Sequence, residues 1–190
     1  MSVDRLRYVD QVIDFHPGGQ IKAGTNKHAD PNAVLGDITR KKPDTFVSLG
    51  ALGELSVGIA GEVISAQGDD DITVFVHPDD SLRPYRVEAL STGGLVAVRA
   101  ETDWLPLGAS SGVTQSFSLR KAGLANATII RILDDSGRSR DIFFNDSSSP
   151  GTSIVGIGVK ATAPFPGGLP SWLQSIKQVT QLPHKPRGLG

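Results

Sequence analysis

Asp71-Ile72-Thr73-Val74-Phe75-Val76-His77 decides the fold. Ile72, Val74 and Val76 face one way and Thr73 and Phe75 the other. That period of two belongs to a strand between a core and a second surface. Gly68-Asp69-Asp70 precedes the run and Pro78-Asp79-Asp80 follows it, and both are turn-forming clusters. The rest of the chain repeats the pattern. Residues 8–15 form a candidate strand ending at His16-Pro17-Gly18-Gly19, and residues 45–49 form another, closed by Gly50. Residues 54–59 alternate with Leu55, Val57 and Ile59 on one face, and residues 62–65 follow Gly61. Residues 85–91 and 95–101 flank Thr92-Gly93-Gly94, a hairpin loop. Residues 104–107 contain Pro106 and so belong at an edge or at the end of a strand. Residues 116–119, 128–133 and 154–159 complete the series. Helical signals are confined to single turns at 31–35 and 119–124, and to 171–179, where Ser171 is a cap and Trp172, Ile176 and Val179 share a face. The expectation is an all-β, antiparallel β-sandwich.

Composition bounds the function. The 190 residues suit one domain, and 38% hydrophobic with 21% charged residues is ordinary for a globular chain. A formal net charge of -1 offers no broad basic face for a phosphate backbone, which argues against nucleic-acid binding as the main task. The absence of cysteine removes disulfides, thiolate catalysis and Cys-ligated zinc. No apolar run reaches the length of a membrane span. Residues 1–14 carry Asp4, Arg5, Arg7 and Asp10 without an apolar segment, so no signal peptide is expected. An extracellular location, on a particle or surface assembly, would then require another route of export.

From Thr162 the composition changes to Pro164, Pro166, Gly167-Gly168, Pro170, Pro183 and Pro186. The expected division is a sandwich with a short N-terminal arm over 1–162 and a Pro/Gly-rich tail over 163–190. A solvated linker explains the glycines and prolines but not Phe165, Leu169, Trp172 and Ile176. These apolar residues point to a tail that packs on its own domain or grips a neighbouring chain.

Two acidic loops are candidate ion sites. In Gly68-Asp69-Asp70-Asp71, adjacent carboxylates repel unless solvated or bound to a cation, and Asp69 and Asp71 share a side if extended. Hard oxygen ligands suit calcium, while a solvated acidic turn is the plainer alternative. Asp134-Asp135-Ser136-Gly137 is a second such loop, or an Asx turn ending a strand. His16, His28, His77 and His184 show no metal spacing, and no Gly-x-Ser-x-Gly elbow or phosphate loop is present. Tyr85 and Trp104 are candidates for a sugar platform, with a core role as the alternative for Trp104.

Taken in order, several segments resemble the β-sandwich domain of bacterial surface-anchored and secreted proteins, related to galactose-binding-like and discoidin-like modules. They are Phe15-His16-Pro17-Gly18, Asp30-Pro31-Asn32-Ala33-Val34-Leu35-Gly36, Phe46-Val47-Ser48-Leu49-Gly50, Gly68 to Phe75, Tyr85 to Gly94 with Trp104 to Gly108, and Ile129 to Asp134. The resemblance spans residues 12–160 and implies a jelly-roll-like, non-catalytic sandwich that often binds calcium. Carried over by position, it marks Asp71 and Asp134. It departs at Val76, where the family has a glutamate, and at Ser153-Ile154-Val155-Gly156-Ile157, where the closing motif lacks its carboxylates.

Three functions follow as expectations. The first is a structural subunit of a multimeric particle or surface assembly, a homo-oligomer or a partner to other subunits, using its arm and tail. The second is a calcium-dependent carbohydrate-binding module with Tyr85 and Trp104 at a glycan site. The third is a glycan-active enzyme, for which no acid/base pair can be named.

Overall fold

The computed structural model describes residues 6–19, 28–78, 83–91, 104–136 and 151–165. In chain order the strands are β1 (Arg7–Tyr8), β2 (Gln11–His16), β3 (Val47–Ser48), β4 (Glu54–Gly58), β5 (Glu62–Ser65), β6 (Ile72–Val76) and β7 (Tyr85–Leu90). They continue as β8 (Trp104–Ser110), β9 (Gln115–Phe117), β10 (Asn126–Ala127), β11 (Ile129–Asp134), β12 (Ser153–Val159) and β13 (Thr162–Pro164). The strand pairs are antiparallel. One five-stranded sheet runs β1-β12-β6-β9, with β3 also on β12, and the other runs β2-β4-β11-β7-β8. A small three-stranded sheet, β10-β5-β13, flanks them. The all-β sandwich expected from the alternation is the fold observed.

The core is the meeting of the two inner faces. Ile72, Val74, Val76, Ile154, Ile157 and Val159 come from one sheet, and Leu55, Val57, Val87, Ala89, Ile130 and Ile132 from the other, in one buried cluster. At roughly 25 cal/mol per Å² of apolar surface removed from water, such a cluster is the main stabilising term. The inward set of the sequence-deciding strand is as expected: Ile72, Val74 and Val76 are buried, and Thr73 and Phe75 are half-buried.

Several boundaries differ from expectation for physical reasons. The run 8–15 is two strands because the chain changes sheets: Val9 N–H donates to Ile157 O at 3.1 Å, and Asp10 N–H donates to Gly58 O at 3.3 Å. The strand at Trp104 is longer than 104–107 and lies at the edge of its sheet, one of the two places that Pro106 allowed. Pro106 pairs with Glu88 beside a register shift, on an edge strand, where a residue without an N–H is tolerated. The single turns at 31–34 and 120–122 are 3-10 turns. Strands β10 and β13 are too short to announce themselves by alternation, while residues 95–101 and 171–179 lie outside the described residues.

Two packing devices hold the loops onto the sheets. Lys41 donates from Nζ to Ala33 O at 2.6 Å and Val155 O at 2.7 Å, and so ties the 31–41 loop to β12. Burial pushes this amine down to about 8. Around Gly50, main chains cross in direct contact. A Cβ on Gly53 would stand 1.9 Å from Leu49 O, and one on Gly151, whose φ is +72°, would stand 2.5 Å from Gly50 C. Only glycine permits that approach.

Candidate functional site

The outer face of the β2-β4-β11-β7-β8 sheet carries the densest chemistry among the described residues. Alternation makes this face polar. Glu54 and Ser56 on β4, Arg131 on β11 and Arg86 and Glu88 on β7 point outward, while Leu55, Val57, Ile130, Ile132, Val87 and Ala89 point into the core. Register sets the pairs across the face: Arg131 lies opposite both Ser56 and Glu88, and Glu54 opposite both Leu133 and His16. A bulge in β2 between Val12 and Asp14 restores the alternation, so that Phe15 packs against the core and Asp14 and His16 face out.

Arg131 is the hub. Its guanidinium lies 4.2 Å from the centroid of the Trp104 ring, a cation–π contact. Its Nε donates to Glu88 Oε2 at 3.0 Å, its Nη2 also meets Glu88 Oε2, and its Nη1 lies 3.8 Å from Glu54 Oε2. Arg86 extends the network, with Nη1 3.8 Å from Glu88 Oε1 and Nε 3.5 Å from Asp135 Oδ2. On the other side, His16 Nδ1 lies 3.0 Å from Glu54 Oε1 and 3.4 Å from Asp14 Oδ2. Carboxylates therefore alternate with the two guanidinium groups and the imidazole across the strands. A depression of about 460 Å³ opens over them, lined by Leu52, Glu54, Arg86, Glu88, Trp104, Arg131, Leu133 and Asp134.

Of the residues expected from sequence, Trp104 is here and Tyr85 is not. Tyr85 is a correction: it is fully buried on the inner face, donates from its hydroxyl to Val113 O at 2.8 Å, and packs edge-on to Phe117. Burial pushes its phenol up to about 12. A sugar platform needs an exposed ring face, and position 85 has the inward parity of Val87 and Ala89.

The three expected calcium ligands do not converge either. Asp69 is exposed and lies 3.5 Å from Lys121 Nζ. Asp71 is fully buried, and its Oδ1 accepts from the N–H of Gln67 at 2.6 Å and of Gly68 at 2.9 Å, while Oδ2 accepts from Leu119 N–H at 2.9 Å. Asp134, at the end of β11, accepts at Oδ1 from the N–H of Leu52 and Ser136, both at 3.1 Å, and at Oδ2 from Thr152 N–H at 2.6 Å and Thr152 Oγ1 at 2.9 Å. Both buried carboxylates thus have their oxygens engaged by main-chain donors. Among the described residues, the acidic and histidine side chains near enough to share an ion are Asp14, His16 and Glu54, none of them expected. Of the expected tail, Ala163 and Pro164 belong to β13 and Phe165 N–H donates to Gly61 O at 3.2 Å, whereas Leu169, Trp172 and Ile176 lie outside the described residues.

Sequence reasoning missed Arg131, Glu88, Arg86 and Glu54. The available signal was charged residues at the outward positions of otherwise buried strands, as in Arg86-Val87-Glu88 and Ile130-Arg131-Ile132. What joins them is strand order, which no local pattern carries.

No protein-family model matches the chain, and no curated protein does. Solved structures do. Truncated AlyQ with CBM32 and alginate lyase domains matches at 16% identity and TM-score 0.42, over 85% of this chain and 34% of that one. The CBM32 of AlyQ in complex with 4,5-unsaturated mannuronic acid matches at 15% identity and TM-score 0.41, over 80% and 98%. A chain from the structure of reduced XRCC1 bound to the DNA pol beta catalytic domain matches at 12% identity and TM-score 0.50, over 83% and 99%. At such identities the likeness is one of fold alone. Among the described residues no helix is long and apolar enough to cross a membrane.

Proposed function

We propose that this protein is a non-catalytic glycan-binding module whose ligand lies across the outer face of the β2-β4-β11-β7-β8 sheet, over Trp104 and Arg131. The observation that carries the reading is the convergence of an indole, a guanidinium and two carboxylates on one open depression. Sugars present apolar C–H faces and a dense array of hydroxyls. An aromatic ring matches the first, and fixed charged groups, donating and accepting, match the second. Groups seated on paired strands hold their geometry better than groups on loops. The depression is open, as a site for an extended chain would be.

Two features favour binding over catalysis. Glu54 and Glu88 both face Arg131, whereas a glycosidase acid needs a carboxyl kept neutral by apolar surroundings. The calcium-dependent form of this reading has no support from Asp71 and Asp134, whose oxygens serve main-chain N–H groups. The assembly reading rests on the terminal arm and the tail, most of whose residues lie outside the described ones.

The test is affinity electrophoresis against neutral polysaccharides (xylan, galactan) and uronate polysaccharides (alginate, polygalacturonate). At least one should retard the wild-type chain, with Trp104→Ala weakening it by about tenfold or more, the scale of one lost aromatic contact. Absence of retardation by all four, or retardation unaltered in a folded Trp104→Ala, would overturn the proposal.

A further inference from the structure

Leu52 stands where a leucine is costly. Its φ is +63°, and it is the non-glycine residue among the described ones with a positive φ. It is the second central residue of the turn that Gly53 N–H closes onto Gly50 O at 3.0 Å, a position that suits glycine or asparagine. A γ-branched side chain there crowds its own backbone. Burial does not compensate, because Leu52 is 60% exposed. The surroundings do not let the turn relax: Leu52 N–H is held by Asp134 Oδ1 at 3.1 Å, Asp134 N–H donates to Gly53 O at 2.8 Å, and Gly53 is locked against Leu49. The strain is thus imposed by a rigid frame, and such strain collects at functional positions.

The frame aims Leu52 at the groove. With Leu133 it forms the apolar end of a lining otherwise made of Glu54, Arg86, Glu88, Arg131, Asp134 and Trp104. We infer that Leu52 is a ligand contact, the residue that packs on a C–H face or a methyl-bearing substituent of the bound sugar, and that its exposure and strained backbone are kept for that contact. This rests on the glycan-binding reading.

The experiment compares Leu52→Gly and Leu52→Asn, which fit the left-handed backbone, with Leu52→Ala and Trp104→Ala. Thermal unfolding of each is followed, together with retardation by xylan, galactan, alginate and polygalacturonate. The midpoints of Leu52→Gly and Leu52→Asn should rise by about 2–4 °C, since a residue that suits the conformation relieves the strain. All three Leu52 variants should bind the retarding polysaccharide at least about fivefold more weakly. Gains in stability with loss of binding identify a residue retained for its ligand. If Trp104→Ala abolishes retardation while the Leu52 variants bind as wild type, or if glycine and asparagine lower the midpoint, Leu52 has no such role and the groove reading stands. If no polysaccharide retards the wild type, both readings fall.

Discussion

Replacing Asp134 by alanine tests how the loops at this end of the sandwich are held. Asp134 is 2% exposed, and its carboxylate accepts from the main-chain N–H groups of Leu52, Ser136 and Thr152. Alanine leaves those donors without a partner. The buried N–H groups of Ser136 and Thr152, once stranded, cost about 1–3 kcal/mol each and the part-buried one of Leu52 less, while the hydroxyls of Ser136 and Thr152 are free to turn elsewhere. A water entering the small void recovers part of the loss. The sum is on the order of 3–6 kcal/mol, a large share of the roughly 5–15 kcal/mol that stabilises a domain. In urea, with a slope of about 1–3 kcal/mol per molar, the midpoint should fall by about 2 M. Asparagine keeps one acceptor but turns an amide donor toward Thr152 N–H or toward Leu52 and Ser136, so an intermediate loss of about 2–3 kcal/mol is expected. Asp69→Ala is the control: its side chain is 77% exposed, and the change should stay within about 0.5 kcal/mol. An Asp134→Ala protein within about 1 kcal/mol of wild type would refute the reasoning, since the carboxylate would then not organise the loops.

Other outcomes follow from the same structure. The Tyr85 phenol, with its ionisation pushed up to about 12, is neutral in the folded chain while an unfolded tyrosine ionises near 10. The stability this group confers is therefore full below pH about 10 and lost as pH climbs to about 12, by on the order of 2–3 kcal/mol, and Tyr85→Phe should flatten that part of a stability–pH curve. Lys41, lowered to about 8, works in the opposite sense: the unfolded chain keeps its proton longer, so stability should rise between pH 8 and about 10.5, and Lys41→Met should remove the rise. Gly53→Ala forces a Cβ to within 1.9 Å of Leu49 O and should cost more than about 3 kcal/mol or prevent folding, measured by urea unfolding of the soluble fraction. If Asp71 and Asp134 serve main-chain donors rather than an ion, the unfolding midpoint should be the same in calcium and in a chelator. A chelator-sensitive shift would restore the calcium reading.

The sequence by itself determined the all-β class and the buried side of the runs whose alternation is clear, 54–59 and 71–77, because both depend on neighbouring residues. Ile72-Thr73-Val74-Phe75-Val76 states its two faces through a steric period of two, and turn clusters such as His16-Pro17-Gly18-Gly19 mark where runs end. Trp104, offered by the sequence as an aromatic for a sugar platform or for the core, lines the depression. The tertiary structure alone decided the groove. Arg131, Glu88 and Glu54 sit on β11, β7 and β4, strands that neighbour in space but not in sequence, and their assembly depends on sheet order and register. It also reversed Tyr85, since a ring that looks available in sequence is committed to the core by the parity of its strand. Asp71 and Asp134 turned on the same distinction. A carboxylate in an acidic loop is chemically free until the fold surrounds it with N–H groups, and only the packed chain shows that it has.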